Sequence, residues 1–124
     1  MKVVVTAQGV DPDAVSSPIF GRCPAFVFVD TETMQFEGIE NPCAAAGGGA
    51  GIQAAQLVVE RGATVLLSHN VGPNAFAVLQ AAEVATYRIG GGTVREAVAA
   101  LLAGTLPRLD GPSTDGHRRR GRSI

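Results

Sequence analysis

The sequence predicts an α/β domain: a mixed five-stranded sheet flanked by helices. Three observations carry this. Short β-branched runs and amphipathic stretches follow one another in the order βββαβαβα. Gly- and Pro-containing breaks separate them. The 124 residues are 46% hydrophobic but only 5% aromatic, so a single core of Val, Ile, Leu and Ala with a few Phe suits one domain.

The elements follow in chain order. Residues 2–6 read as a short buried strand. Residues 7–21 form a loop broken by Gly9, Asp11-Pro12, Ser16-Ser17-Pro18 and Gly21. Residues 25–30 and 34–39 read as two strands joined by a turn at 31–33, a β-hairpin. Residues 41–51, Asn-Pro-Cys-Ala-Ala-Ala-Gly-Gly-Gly-Ala-Gly, form a loop poor in side chains. A helix over 50–61 follows, with Ile52, Ala55, Leu57, Val58 and Val59 inward and Gly62 as its C-terminal stop. A buried strand over 64–68 leads through a loop at 70–73 to a helix starting at Pro73 and ending near Ala82. The last strand, 84–89, is broken by Gly90-Gly91-Gly92. Thr93-Val94-Arg95-Glu96 is a capping-box pattern opening a helix to about Ala103, with Val94, Val98, Leu101 and Leu102 on its apolar face.

Strand–helix–strand–helix order in the second half demands parallel pairing with crossovers, and the hairpin allows antiparallel pairing in the first half. The expected architecture is therefore a mixed five-stranded sheet in the ribonuclease-H-like style, with a Rossmann-like order as the alternative. The expected domain is 1–108, with 109–124 an Arg-rich disordered tail, since residues beyond 109 are nearly devoid of apolar side chains.

This topology gathers four segments at one edge of the sheet: 7–24, 41–51, 68–74 and 90–93. Ligands of open α/β sheets bind outside the carboxyl ends of strands. Three helices are expected to present their N-termini there, with unpaired N–H groups and positive dipole ends. Gly47, Gly48, Gly49 and Gly51 allow close approach to the backbone. Such an edge favours an anion. Arg22 adds a forked cation, unless it pairs with Asp11 or Asp13. Cys23, Cys43 and His69 supply soft or borderline metal ligands at the same edge, although each also suits simple packing or loop hydrogen bonding.

Other chemistries are weakly supported. The glycine loop lacks the Lys-Ser/Thr ending of a P-loop, and it does not match the dinucleotide fingerprint after a first strand. Asp30 and Glu32 lie at the hairpin end, away from other carboxylates, so a two-metal nuclease site is not assembled. No nucleophile–base–orienter set is visible, and no catalytic residue is assigned. Residues 1–109 carry six basic and nine acidic groups, and residues 110–124 carry four Arg and two Asp. The body is thus no basic nucleic-acid platform; only His117 to Arg122 could contact a polyanion. No signal-peptide pattern or membrane-length apolar run is present, which leads us to expect a cytoplasmic protein with free thiols.

Three segments give the chain a family resemblance: Phe20-Gly21-Arg22, Asn41-Pro42 followed by Gly47-Gly48-Gly49-Ala50-Gly51, and Gly72-Pro73-Asn74-Ala75-Phe76. In order and spacing they resemble the dinitrogenase iron–molybdenum cofactor biosynthesis family, the NifX-like domains also found at the end of NifB-type proteins. The resemblance spans about residues 1–108. It implies a ribonuclease-H-like fold and a carrier or chaperone of metal–sulfur clusters, not an enzyme. The motif residues that carry over as cofactor-binding are Phe20, Gly21, Arg22, Gly47, Gly48, Gly49, Gly51, Gly72 and Asn74. Cys23, Cys43 and His69 lie outside the motifs, so their metal-ligand role is a reading of this chain alone. No radical-SAM segment accompanies the domain, which implies carrying rather than assembling a cluster.

The expected ligand is an anionic iron–sulfur or molybdenum-containing metal–sulfur cluster, or a precursor of the iron–molybdenum cofactor. A cluster donor or acceptor protein would be the partner, with no membrane or nucleic acid. The competing reading is a metal-free binding or regulatory module for a small phosphorylated anion.

Overall fold

A computed structural model describes residues 1–44 and 49–111. The expectations for Gly47, Gly48 and the tail segment His117 to Arg122 fall outside the described residues.

Eight elements occur in the expected order: β1 (Lys2–Ala7), β2 (Ala25–Asp30), β3 (Gln35–Glu40), α1 (Ala50–Glu60), β4 (Val65–Ser68), α2 (Pro73–Ala81), β5 (Ala85–Arg88) and α3 (Val94–Leu102). The sheet order is β3-β2-β1-β4-β5. β1 pairs antiparallel with β2, and β2 with β3, while β1–β4 and β4–β5 are parallel. β1, β3, β4 and β5 therefore all finish at one edge of the sheet. β1 and β4 are buried on both faces, as inner strands are, whereas β3 at the edge alternates between exposed and half-buried.

Alternation along the strands builds two cores. Val4, Phe26, Phe28 and Leu66 face α1 and α2, meeting Ala54, Val58 and Leu79. Val3, Val5, Val27 and Leu67 face the other way, meeting Val94 and Val98 of α3. The molecule is a three-layer sandwich with two helices on one face and one on the other. Residues 107–109 run along the outer edge of β5: Arg88 N–H donates to Pro107 O (2.9 Å) and Leu109 N–H to Thr86 O (2.8 Å). They cover what would be an open edge.

Some expectations are corrected. The third strand starts at Gln35 because Met34 adopts a left-handed backbone (φ 57°) and closes the hairpin turn. On α1 the fully buried positions are Ala50, Ala54, Ala55 and Val58, whereas Ile52, Leu57 and Val59 are half-buried. Small residues sit inward there because α1 packs against α2 as well as the sheet. On α3 the inner stripe is Val94, Ala97, Val98 and Leu101, and Leu102 is exposed. Among the described residues no helix is long and apolar enough to cross a membrane.

Candidate functional site

The edge where four strands finish holds a cleft of about 270 Å³. Its walls are Phe20 and Arg22, the first turn of α1 (Gly49 to Ile52) and the first turn of α2 (Gly72 to Ala75). Three segments far apart in sequence meet here because β4 lies beside β1, which puts α1 and α2 next to the loop leaving β1.

Phe20 anchors that loop. Its ring is buried in the core, 5.8 Å from the Phe26 ring centroid. Its N–H donates to Asn70 O (3.0 Å), and Asn70 N–H donates back to Pro18 O (2.9 Å), tying the loop to the β4–α2 connection. Gly21 follows with φ 94°, in the region that L side chains avoid. A Cβ there would lie 2.9 Å from Gly51 Cα, so the loop backbone rests directly on the first turn of α1. Gly51 in turn faces Ala75 on α2, where an added Cβ would lie 3.4 Å from the Ala75 Cβ, a close but ordinary contact. Gly21 thus lets the loop leaving β1 settle on the start of α1, which itself packs against α2.

The cleft is electropositive by construction. The ladder of α1 begins with Gln53 N–H donating to Gly49 O (3.0 Å), and that of α2 with Phe76 N–H donating to Gly72 O (2.9 Å). The N–H groups before those points have no intrahelical partner. Gly49 and Gly72 at the N-caps offer no side chain to take them, and neither first turn contains an acid. Two positive dipole ends therefore converge on one cavity. Arg22, exposed at its rim, donates from Nη1 to Ala44 O (3.1 Å) at the start of the glycine loop.

The third helix does not join them, which corrects the expectation of three free N-termini. Thr93 Oγ1 accepts from Glu96 N–H (3.1 Å), and Glu96 Oε1 accepts from Thr93 N–H (2.9 Å). Val94 and Arg95 N–H donate to Ala14 O and Pro12 O. The donors of α3 are spent on its own cap and the preceding loop. The alternative pairing of Arg22 with Asp11 or Asp13 is not what those acids do: Asp13 bonds Arg95 (3.0 Å), and Asp11 Oδ1 accepts from Asp13 N–H (2.8 Å).

The proposed soft ligands are placed less favourably. Cys23, Cys43 and His69 do not line the cleft. Among the described residues no three His, Cys, Asp or Glu form a group able to hold a metal ion. Cys23 is 1% exposed in the core, and burial pushes its thiol up to about 12, outweighing the hydrogen bonds that favour the thiolate. A neutral buried thiol is a packing residue rather than a ready ligand. Cys43 is nearly buried and donates its backbone N–H to Asn41 Oδ1 (2.9 Å). His69 Nε2 lies 2.7 Å from Gly90 O; a carbonyl can only accept, so Nε2 carries the proton and the ring ties two loops together.

Ile52 also lines the cleft, although from sequence it reads only as an inward position of the helix. A larger hollow, about 350 Å³, lies between α2, β5 and Arg108 to Asp110. It sits away from the carboxyl ends of the strands and from both uncapped helix starts.

The fold and the cleft define an α/β domain in which the first turns of two helices line one cavity. The chain belongs to the dinitrogenase iron–molybdenum cofactor family, whose model matches residues 1–104. It is similar to the apo form of the orange protein from Desulfovibrio gigas, with 43% identity and a TM-score of 0.88, covering 91% of this chain and 96% of that one. It is also similar to a Thermotoga protein provisionally named a NifB protein: 38% identity, TM-score 0.81, covering 93% and 98% of the two chains. An uncharacterised protein of Methanocaldococcus jannaschii is 26% identical over 113 residues, 89% of this chain and 95% of the relative.

Proposed function

We propose that this chain is a carrier for an anionic metal–sulfur cluster or iron–molybdenum cofactor precursor, received in the cleft between the first turns of α1 and α2. The observation that carries the reading is the convergence of two uncapped helix N-termini on one cavity with Arg22 at its rim. Sulfido and oxo groups of a cluster accept hydrogen bonds, and the N–H groups of Gly51, Ile52, Asn74 and Ala75 are there to donate them. The glycines of the sequence motif, Gly47 and Gly48 among them, would leave backbone amides free of side chains for the cargo, and Arg22 would neutralise part of its charge. Hydrogen bonds and charge hold such a cargo reversibly, as a carrier needs. The family supports cofactor biosynthesis as the setting; in this reading the partner is a cluster donor or acceptor protein and the place is the cytoplasm. Transfer of an intact cargo requires no catalytic residue of the chain.

The test is anaerobic reconstitution with iron, sulfide and molybdate, followed by metal and sulfide analysis and an ultraviolet–visible spectrum. Stoichiometric metal with sulfur-to-metal charge-transfer bands is expected, reduced in Arg22→Ala. Protein that stays colourless and metal-free would remove the cluster reading. One observation favours a second reading: no cysteine lines the cleft. The same amides would then hold a small phosphorylated anion, and a phosphate ester rather than a thiometallate would raise the melting temperature.

A further inference from the structure

Asn41 is buried, with 7% exposure, and lies outside the residues lining the cleft. Its side chain is nonetheless fully engaged with the backbone around the site. Nδ2 donates to Gly21 O (3.0 Å) and to Cys23 O (2.9 Å), the two carbonyls that bracket Arg22. Oδ1 accepts from Cys43 N–H (2.9 Å), forming an Asx turn across Pro42. The backbone N–H of Asn41 donates to Pro24 O (2.9 Å). Two carbonyls on one side and an N–H on the other fix which end of the amide is which.

These bonds form a circuit. Asn41 holds the chain on both sides of Arg22, and it also holds Cys43. Arg22 reaches across to Ala44, the next residue. The position of the guanidinium relative to Ala44 is thus set from both ends by one side chain. We infer that Asn41 is the positioning residue for Arg22 and for the backbone at Cys43 and Ala44, acting on the bound anion through them without touching it. This inference rests on the cleft reading above. The chemistry needs an amide at position 41: a carboxylate offers no donor to the two carbonyls, and an alkyl group offers neither donor nor acceptor.

Asn41→Asp is the near-isosteric test, since it keeps the Oδ1 acceptor and removes both donors. Asn41→Ser, which keeps a short acceptor for Cys43 N–H, serves if the first variant fails to fold. Both are compared with wild type by NMR on the full chain without ligand, and by titration with tetrathiomolybdate. The strand amides should stay in place, while those of Arg22, Cys23 and Ala44 shift and the Arg22 order parameter falls below about 0.6. Tetrathiomolybdate affinity should drop about tenfold. The double variant with Arg22→Ala should bind no more weakly than Arg22→Ala alone, because the two act as one unit. An Arg22 backbone as rigid as in wild type, or additive losses in the double variant, would overturn the inference. If wild type itself ignores tetrathiomolybdate, the cluster reading fails, and the Arg22 order parameter alone then decides the positioning role.

Discussion

Replacing Gly21 by Ala should separate close backbone approach from simple conformational preference. Gly21 has φ 94°, and its absent Cβ would fall 2.9 Å from Gly51 Cα and 3.1 Å from Gly51 N. Both neighbours are backbone atoms of a helix and cannot swing aside. An L residue held at positive φ costs about 1–2 kcal/mol, and forcing apart a packed contact adds about 1–3 kcal/mol. Restricting the unfolded chain returns about 0.4–1 kcal/mol. The net loss should be about 2–4 kcal/mol, or a melting temperature lower by about 8–16 °C for a domain of this size. Gly49→Ala is the control. Its φ is 73°, but a Cβ there meets nothing within 4 Å among the described residues, so only the conformational cost of about 1 kcal/mol applies. Urea denaturation of the two variants beside wild type measures both numbers. Equal losses, or a larger one at Gly49, would refute the claim that the loop is seated on α1 through the missing Cβ.

Other consequences follow from single residues. Thr86 Oγ1 is buried and has no hydrogen-bond partner among the described residues. Thr86→Val keeps the shape and removes the orphaned hydroxyl, so stability should rise by about 1 kcal/mol, and a loss in denaturant titration would show that the hydroxyl is satisfied. The Cys23 thiol should resist iodoacetamide at about pH 8 in folded protein and react once denaturant is added; prompt labelling of Cys23 in the native state, read by peptide mass, would contradict its burial. Its folded value, about 12, lies above the ordinary 9.0, so the neutral thiol's contribution is complete below about pH 9 and is lost as pH rises towards 12. Wild type should therefore lose stability over that alkaline window more steeply than Cys23→Ala, and parallel curves would count against it. Glu96→Ala should cost about 1 kcal/mol in thermal denaturation by opening the α3 cap, yet leave anion binding at the cleft unchanged, because α3 caps on the opposite face.

The strand runs and helix stripes were legible because each element obeys its own period: Val3-Val4-Val5 and Val65 to Leu67 as buried strands, Val94 to Leu101 as one helical face. The meeting of Phe20, Arg22, Gly51 and Asn74 was legible as well, since strand direction alone sends their segments to one edge. Which helix starts stay open was not. Thr93-Val94-Arg95-Glu96 could be read as a cap, but its consequence, that α3 has no donors left for a ligand, depends on Ala14 and Pro12 folding back to meet it. The placement of Cys23 was not legible for a similar reason. Sequence puts Cys23 at the loop edge, whereas the turn at Gly21 sends its thiol into the core. Asn41 carried a local signal, Asn before Pro-Cys, yet its partners at Gly21 and Cys23 lie about 20 residues away and only the sheet brings them near.

The most direct test of the cleft is an amide chemical-shift map of isotopically labelled protein titrated anaerobically with tetrathiomolybdate. Saturable shifts confined to Arg22, Gly49, Gly51, Ile52, Asn74 and Ala75 are the expected result, with saturation at higher ligand concentration in Arg22→Ala. Shifts centred instead on Thr86 and Arg108, or on the strands around Cys23, or none at all, would contradict a cluster carried at the two helix starts.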